Sequence, residues 1–124
     1  MAEHNILGSW GEHMAADYLR SKGYTILQMN WRIGHRDIDI VAKTGDVLVF
    51  VEVKTRRNYD YGDPTQAINY RKYRSLKLAA NAYCKIHRIE GMVRFDVVTV
   101  VGSASTGCII NHMENAINAW GYHY

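Results

Sequence analysis

The chain has 124 residues, enough for one domain to bury a core without disulfide or metal staples. Hydrophobic residues make up 48% and charged residues 22%, a balance that excludes a disordered or low-complexity chain. The net charge of +3 is too small, taken alone, to imply a nucleic-acid partner.

The distribution of charge says more. No Asp or Glu occurs from Pro64 to Ile89, while Arg71, Lys72, Arg74, Lys77, Lys85 and Arg88 all fall there. Lys54, Arg56 and Arg57 stand just upstream. One side of the chain's middle is therefore basic, either as a solvated helix face or as a surface for phosphates. No apolar run approaches the ~18 residues of a membrane span. The opening MAEHNILGSWGE lacks the basic-then-apolar layout of a secretory leader. Cys84 and Cys108 read as reduced thiols, so the expected location is cytoplasmic, with no membrane association.

From Gly8 to Lys22 the apolar spacing is helical, through Gly11, Ala15, Tyr18 and Leu19, and Gly23 supplies the stop. Tyr24 to Trp31 (YTILQMNW) predicts a first strand. Residues 37–43 (DIDIVAK) predict a second, with Ile38, Ile40 and Ala42 on one face and Asp37, Asp39 and Val41 on the other. Thr44-Gly45-Asp46 is a short turn, so a third strand over 47–55 should pair with the second as an antiparallel hairpin.

A loop with Tyr59 and Tyr61 follows. Pro64 then suits the first turn of a long helix over 64–87, with Ile68, Leu76, Ala79, Ala82, Tyr83 and Ile86 as its core stripe. Residues 93–101 (VRFDVVTVV) predict a buried strand, Gly102 to Gly107 a loop, Cys108-Ile109-Ile110 a short strand, and His112 to Ala119 a last short helix. The order is that of an α/β domain spanning residues 1–124, a mixed sheet flanked by helices. The long helix should act as a crossover that returns the next strand parallel to a neighbour.

The stretch DVLVFVEVKTRR carries the chemistry. It begins as an interior strand and ends with Glu52 and Lys54 on one face. Counting back through the turn sets Asp39 near the level of Glu52, on strands ~4.8 Å apart. Two carboxylates so close repel unless a proton or a cation intervenes. Mg²⁺ prefers one or two carboxylates plus waters and substrate phosphate. Glu12, near the apolar stripe of the first helix, adds a third acid. Acids converging with one lysine suit metal-assisted phosphodiester hydrolysis: the metal acidifies a bound water, and the ammonium orients it or stabilises the pentacovalent oxyanion. The plainer alternative is a surface Glu52–Lys54 pair on an emerging strand end.

Two other patterns compete. Cys84-x2-His87 with Cys108-x3-His112 imitates a zinc set, but the four residues would have to meet by tertiary accident, and apolar cysteine packing is the expectation. Gly102-Ser-Ala-Ser-Thr-Gly107 lacks the Lys-Ser/Thr and helix of a phosphate loop.

Asp39 followed by Glu52-Val53-Lys54 resembles the PD-(D/E)xK signature of the restriction-endonuclease-like nucleases. Over nearly the whole chain the sequence resembles one branch, the YraN-like bacterial family related to archaeal Holliday-junction resolvases. The matching residues are Gly8, Gly11-Glu12, Ala15, Tyr18-Leu19, Gly23 to Leu27, Asn30-Trp31-Arg32, Asp37 to Ala42, Leu48 to Arg56, Ala67, Lys72, Arg94 to Val98, Ile110 and His112.

The resemblance implies a Mg²⁺ or Mn²⁺ site held by Asp39, Glu52 and the Val53 carbonyl, with Lys54 as the catalytic lysine. Glu12 would be an accessory ligand or water-positioner, and Gln66 a supporting residue of the following helix. DNA would be the partner, contacted by Arg56, Arg57, Arg71, Lys72, Arg74 and Lys77, and a homodimer would accord with the resolvases. The chain departs from the family at Arg36-Asp37, where Gly-Glu is usual. The alternative functions are a non-catalytic nucleic-acid-binding module of the same fold and an interaction protein whose basic helix docks an acidic partner.

Overall fold

The computed structural model describes residues 3–60, 62, 64 and 70–116. The element order is α1 (Glu3–Ser21), β1 (Thr25–Ile33), β2 (Arg36–Thr44), β3 (Val47–Arg56), α2 (Tyr70–Ile86), β4 (Val93–Ser103) and β5 (Gly107–Met113). The five strands form one mixed sheet in the order β1-β2-β3-β4-β5. β1–β2, β2–β3 and β4–β5 pair antiparallel, and β3–β4 pair parallel across the α2 crossover.

Local chemistry explains the boundaries. α1 ends where Gly23 adopts φ 91°, with Gly23 N–H donating to Arg20 O and Tyr24 N–H to Leu19 O, both at 3.0 Å. These two bonds satisfy carbonyls that the helix end leaves open, and the left-handed residue they require carries no Cβ. Gly45, at φ 56°, makes the two-residue turn that sets the β2–β3 register at Thr44↔Val47. α2 ends through the same pair of bonds, from Arg88 N–H to Lys85 O and Ile89 N–H to Cys84 O, with Arg88 itself at φ 54°.

The helices cover opposite faces of the sheet. Ala15, Ala16 and Leu19 of α1 pack on Ile40, Ala42, Val49, Val51, Val53, Val98 and Val100. Leu76, Ala79, Ala80 and Tyr83 of α2 pack on Ile38, Val41, Leu48 and Phe50. Strand alternation along β3 is what divides the layers, odd residues under α1 and even residues under α2.

Several expectations need correction. Ile38 does not share a face with Ile40: it packs in the α2 layer and Ile40 in the α1 layer. The pleat breaks at Asp39, which is bracketed with Asn30 by the pairs Met29↔Ile40 and Trp31↔Ile38, and Asn30 has φ 52°. Ile86 is 58% exposed, whereas Tyr73 and Ala80, absent from the expected stripe, are buried. His112 belongs to β5, paired with Val98, so the last strand runs further than the sequence suggests. The start of the expected second helix includes Ile68, Gln66 and Ala67, and those residues lie outside the described ones, as does Tyr61; of the expected last helix, only Ala116 falls within them in helical conformation. No helix among the described residues is long and apolar enough to cross a membrane.

Candidate active site

Glu52 extends the even row of β3 beyond Phe50, and it is buried, as is Asp39 on the neighbouring strand. Backbone pairing of β2 with β3 reaches Ile40↔Val51, so Asp39 and Glu52 occupy the next level, where the two strands part. There Asp39 Oδ2 accepts a 2.8 Å hydrogen bond from Val53 N–H. The carboxylate thus satisfies a backbone donor at the end of the ladder, which fixes it at the fork between the strands.

Exposures of 8% for Asp39 and 5% for Glu52 set the electrostatics. Burial, reinforced by the charge of Glu52, raises the pKa of Asp39 well above the ordinary carboxylate value, against the Val53 hydrogen bond. Burial also raises that of Glu52, and it outweighs the opposing charge of Lys72, whose Nζ lies 3.3 Å from Oε1. Lys72 in turn loses basicity by burial, but Glu52 and Asp39 together more than restore it. Lys54 is half-buried on the same strand, and burial, helped by Arg56, lowers its pKa despite Glu52.

Beside Lys54 opens a cleft of about 530 Å³, walled by Glu12, Val53, Lys54, Arg56, Arg57 and Asn58 among others. Its width depends on Gly11, since a Cβ there would collide with the Thr55 side chain. The missing methyl lets α1 lie against the end of β3 and brings Glu12 to the cleft wall. The charge of Glu12 adds to the rise at Asp39.

The structure therefore gathers Asp39, Glu52 and Lys72 at the strand fork, with Lys54 and Glu12 in the adjoining cleft. Among the described residues no three His, Cys, Asp or Glu side chains form a metal-holding group. Glu12 thus does not complete a three-acid ligand set with the pair. Two opposed, desolvated carboxylates nevertheless fit a divalent cation, which would take the Val53 carbonyl and water as further oxygen donors. Among the described residues of α2, Lys72 forms the ion pair with Glu52; Arg71 and Arg74 are exposed, and Lys77 lines a separate groove with Phe50 and Phe95. Gln66 lies outside the described residues. The zinc pattern is dispersed, with Cys84 against the α2 layer, Cys108 against the α1 layer, and His87 stacked on Tyr83 with ring centroids 4.0 Å apart.

The sequence does not single out a third buried acid as a polar centre. Asp96, fully buried in β4, accepts from Arg94 Nε at 2.8 Å, Arg94 NH2 at 2.7 Å, His112 Nε2 at 2.7 Å and Asn115 N–H at 3.0 Å. Lys22 Nζ lies 2.8 Å from His112 Nδ1. An ammonium only donates, so Nδ1 accepts and Nε2 carries the proton given to Asp96. Arg94 also donates to Tyr24 Oη at 2.6 Å, and that hydroxyl donates to Glu114 at 3.1 Å. The bonds from His112 and Arg94 overcome the effect of burial and lower the pKa of Asp96. The available signal was the lone acid inside VRFDVVTVV, since a charge in a buried strand demands partners.

Comparisons with known proteins agree across most of the chain. Residues 11–100 match the family model described as Uncharacterised protein family UPF0102. UPF0102 protein BF0634 of Bacteroides fragilis is 45% identical over 117 residues, covering 94% of this chain and 95% of that protein. A UPF0102 protein of Porphyromonas gingivalis is 45% identical over 117 residues, covering 94% and 87%. UPF0102 protein FP2501 of Flavobacterium psychrophilum is 38% identical over 124 residues, covering both chains fully at 100%. On these matches the chain belongs to the UPF0102 family, the YraN-like group.

Proposed function

We propose that this protein is a divalent-metal-dependent endonuclease acting on DNA phosphodiester bonds, with branched or repair intermediates as its substrates. The observation that carries the reading is the buried, mutually opposed pair Asp39 and Glu52, fixed at a strand fork beside a half-buried lysine and a cleft walled by arginines. Asp39, Glu52 and the Val53 carbonyl would hold Mg²⁺ or Mn²⁺. That cation, when bound, lowers the pKa of a water and offsets charge on the phosphoryl oxygens.

The chain's own groups do the rest. Lys54, whose pKa is lowered, presents an amine at the cleft to orient the attacking water or to stabilise the pentacovalent oxyanion. Glu12 on the facing wall orients water across the cleft. Arg56 and Arg57 line the approach, and Arg71, Lys72, Arg74 and Lys77 extend the cationic surface along α2, contacts whose strength falls with salt. The helix-and-sheet order, with its Asp39 and Glu52-Val53-Lys54 signature, adds support by analogy with restriction-endonuclease-like nucleases. A homodimer accords with the same analogy.

The test is a panel of linear, flapped and four-way DNAs with Mg²⁺, Mn²⁺ or EDTA. Wild type should cut at least one substrate only with metal. Lys54→Ala should lose about 10²–10⁴-fold in rate, the range for removing one proton-transferring or charge-stabilising group, with DNA retardation retained. Full activity in purified Lys54→Ala would overturn the assignment. The basic residues of α2 would also serve a second reading, a non-catalytic DNA-binding module of the same fold. Salt-sensitive retardation without metal-dependent cutting of any substrate would select it.

A further inference from the structure

Lys72 reaches the acid pair from a helix whose neighbouring basic residues stand in solvent. The two ends of the Lys72–Glu52 contact differ in character. The Glu52 side chain is 6% exposed and held on the sheet, whereas that of Lys72 is 47% exposed on a flexible stem. Their 3.3 Å separation is longer than the ~2.7–2.9 Å of a tight charge-assisted bond. The acid is fixed on the sheet, and the amine is the half-exposed end of the contact.

A divalent cation would sit ~2.0–2.1 Å from a carboxylate oxygen, within the space and field that this ammonium now shares. Two cations cannot crowd the same oxygens without repulsion, and of the two only the lysine can withdraw along its stem. Resting on the metal site proposed above, we propose that Lys72 is a resident counter-ion of the acid pair, displaced when a divalent cation enters. Its displacement moves the amine away from Glu52 and adds one positive charge to the basic surface beside the cleft. Metal loading and phosphate binding are thereby coupled through one side chain.

Mn²⁺ binding to the full chain, read by electron paramagnetic resonance at low ionic strength, tests this without substrate. Lys72→Met should bind Mn²⁺ about two- to fivefold more tightly than wild type, the effect of removing one half-exposed competing ion pair. Lys85→Met, an equal loss of charge in the exposed last turn of α2, should bind Mn²⁺ as wild type does. Equal or weaker affinity in Lys72→Met, or the same gain in Lys85→Met, overturns the counter-ion role while leaving the metal site intact. Failure of every form to bind Mn²⁺ overturns both. A second measurement uses wild type alone: acylation of the Lys72 amine, followed by peptide mass spectrometry, should quicken when Mg²⁺ is added. An unchanged or slower rate overturns the displacement even if the variant does not fold.

Discussion

Asp39 and Asp96 lie on the two strands that flank β3, one in β2 and one in β4, each between two apolar neighbours. Their surroundings differ in kind. Asp96 receives four hydrogen bonds from Arg94, His112 and the Asn115 backbone, and its pKa falls. Asp39 receives one from Val53 N–H and faces a second buried carboxylate, and its pKa rises. The same residue type, at similar depth, is a finished structural joint on one side of the strand and an unfinished one on the other. A buried acid that lacks enough donors is the physical mark of a group waiting for a cation or a proton.

The contrast is sharpest in substitutions. Asp96→Ala should cost about 3–5 kcal/mol in chemical denaturation, because it leaves Arg94 and the buried His112 without their shared acceptor. A loss comparable to that of a surface substitution would erase the distinction. Asp39→Asn should act the other way without metal. The amide oxygen can still accept from Val53 N–H, and loss of the opposed charge should leave stability unchanged or raise it. The same variant should abolish Mn²⁺ binding.

A smaller effect appears in the pH dependence. Asp39 and Glu52 retain protons in the folded chain at pH values where the unfolded chain has released them. Their contribution to stability therefore falls as pH rises from about 4, the ordinary carboxylate value, up through their raised folded values. Asp96 has the opposite sign, its contribution being lost as pH falls below the ordinary value through its depressed one. Denaturation midpoints in EDTA should decline on the upper side of this range and recover with Mg²⁺, and Asp39→Asn should flatten the decline. A decline unaffected by Mg²⁺ in wild type would separate the acid pair from metal binding.

Much of this was legible in the residues. The β2–β3 hairpin follows from a two-residue glycine turn between apolar strands, and its register alone brings Asp39 level with Glu52. Short-range geometry of that kind is written in sequence spacing. The Lys72 contact was not, because all the basic residues of α2 look alike until the helix is rotated onto the sheet. The centre at Asp96 joins residues up to 90 positions apart, among them Lys22 and His112, and no local pattern announces it. The reversal of side-chain direction at Asp39 was hidden for a related reason. It arises where Asn30 on the adjacent strand takes a left-handed backbone, and a regular alternation drawn along one strand has no place for it.

The contact between Gly11 and Thr55 works as a spacer whose length is set by an absent atom. Alanine there would prise the first helix off the sheet, at a cost of about 1–3 kcal/mol if the structure accommodates it. It would also carry Glu12 away from Lys54 without altering a single charge. The calibration of this pocket thus resides in an uncharged residue that would never touch a substrate.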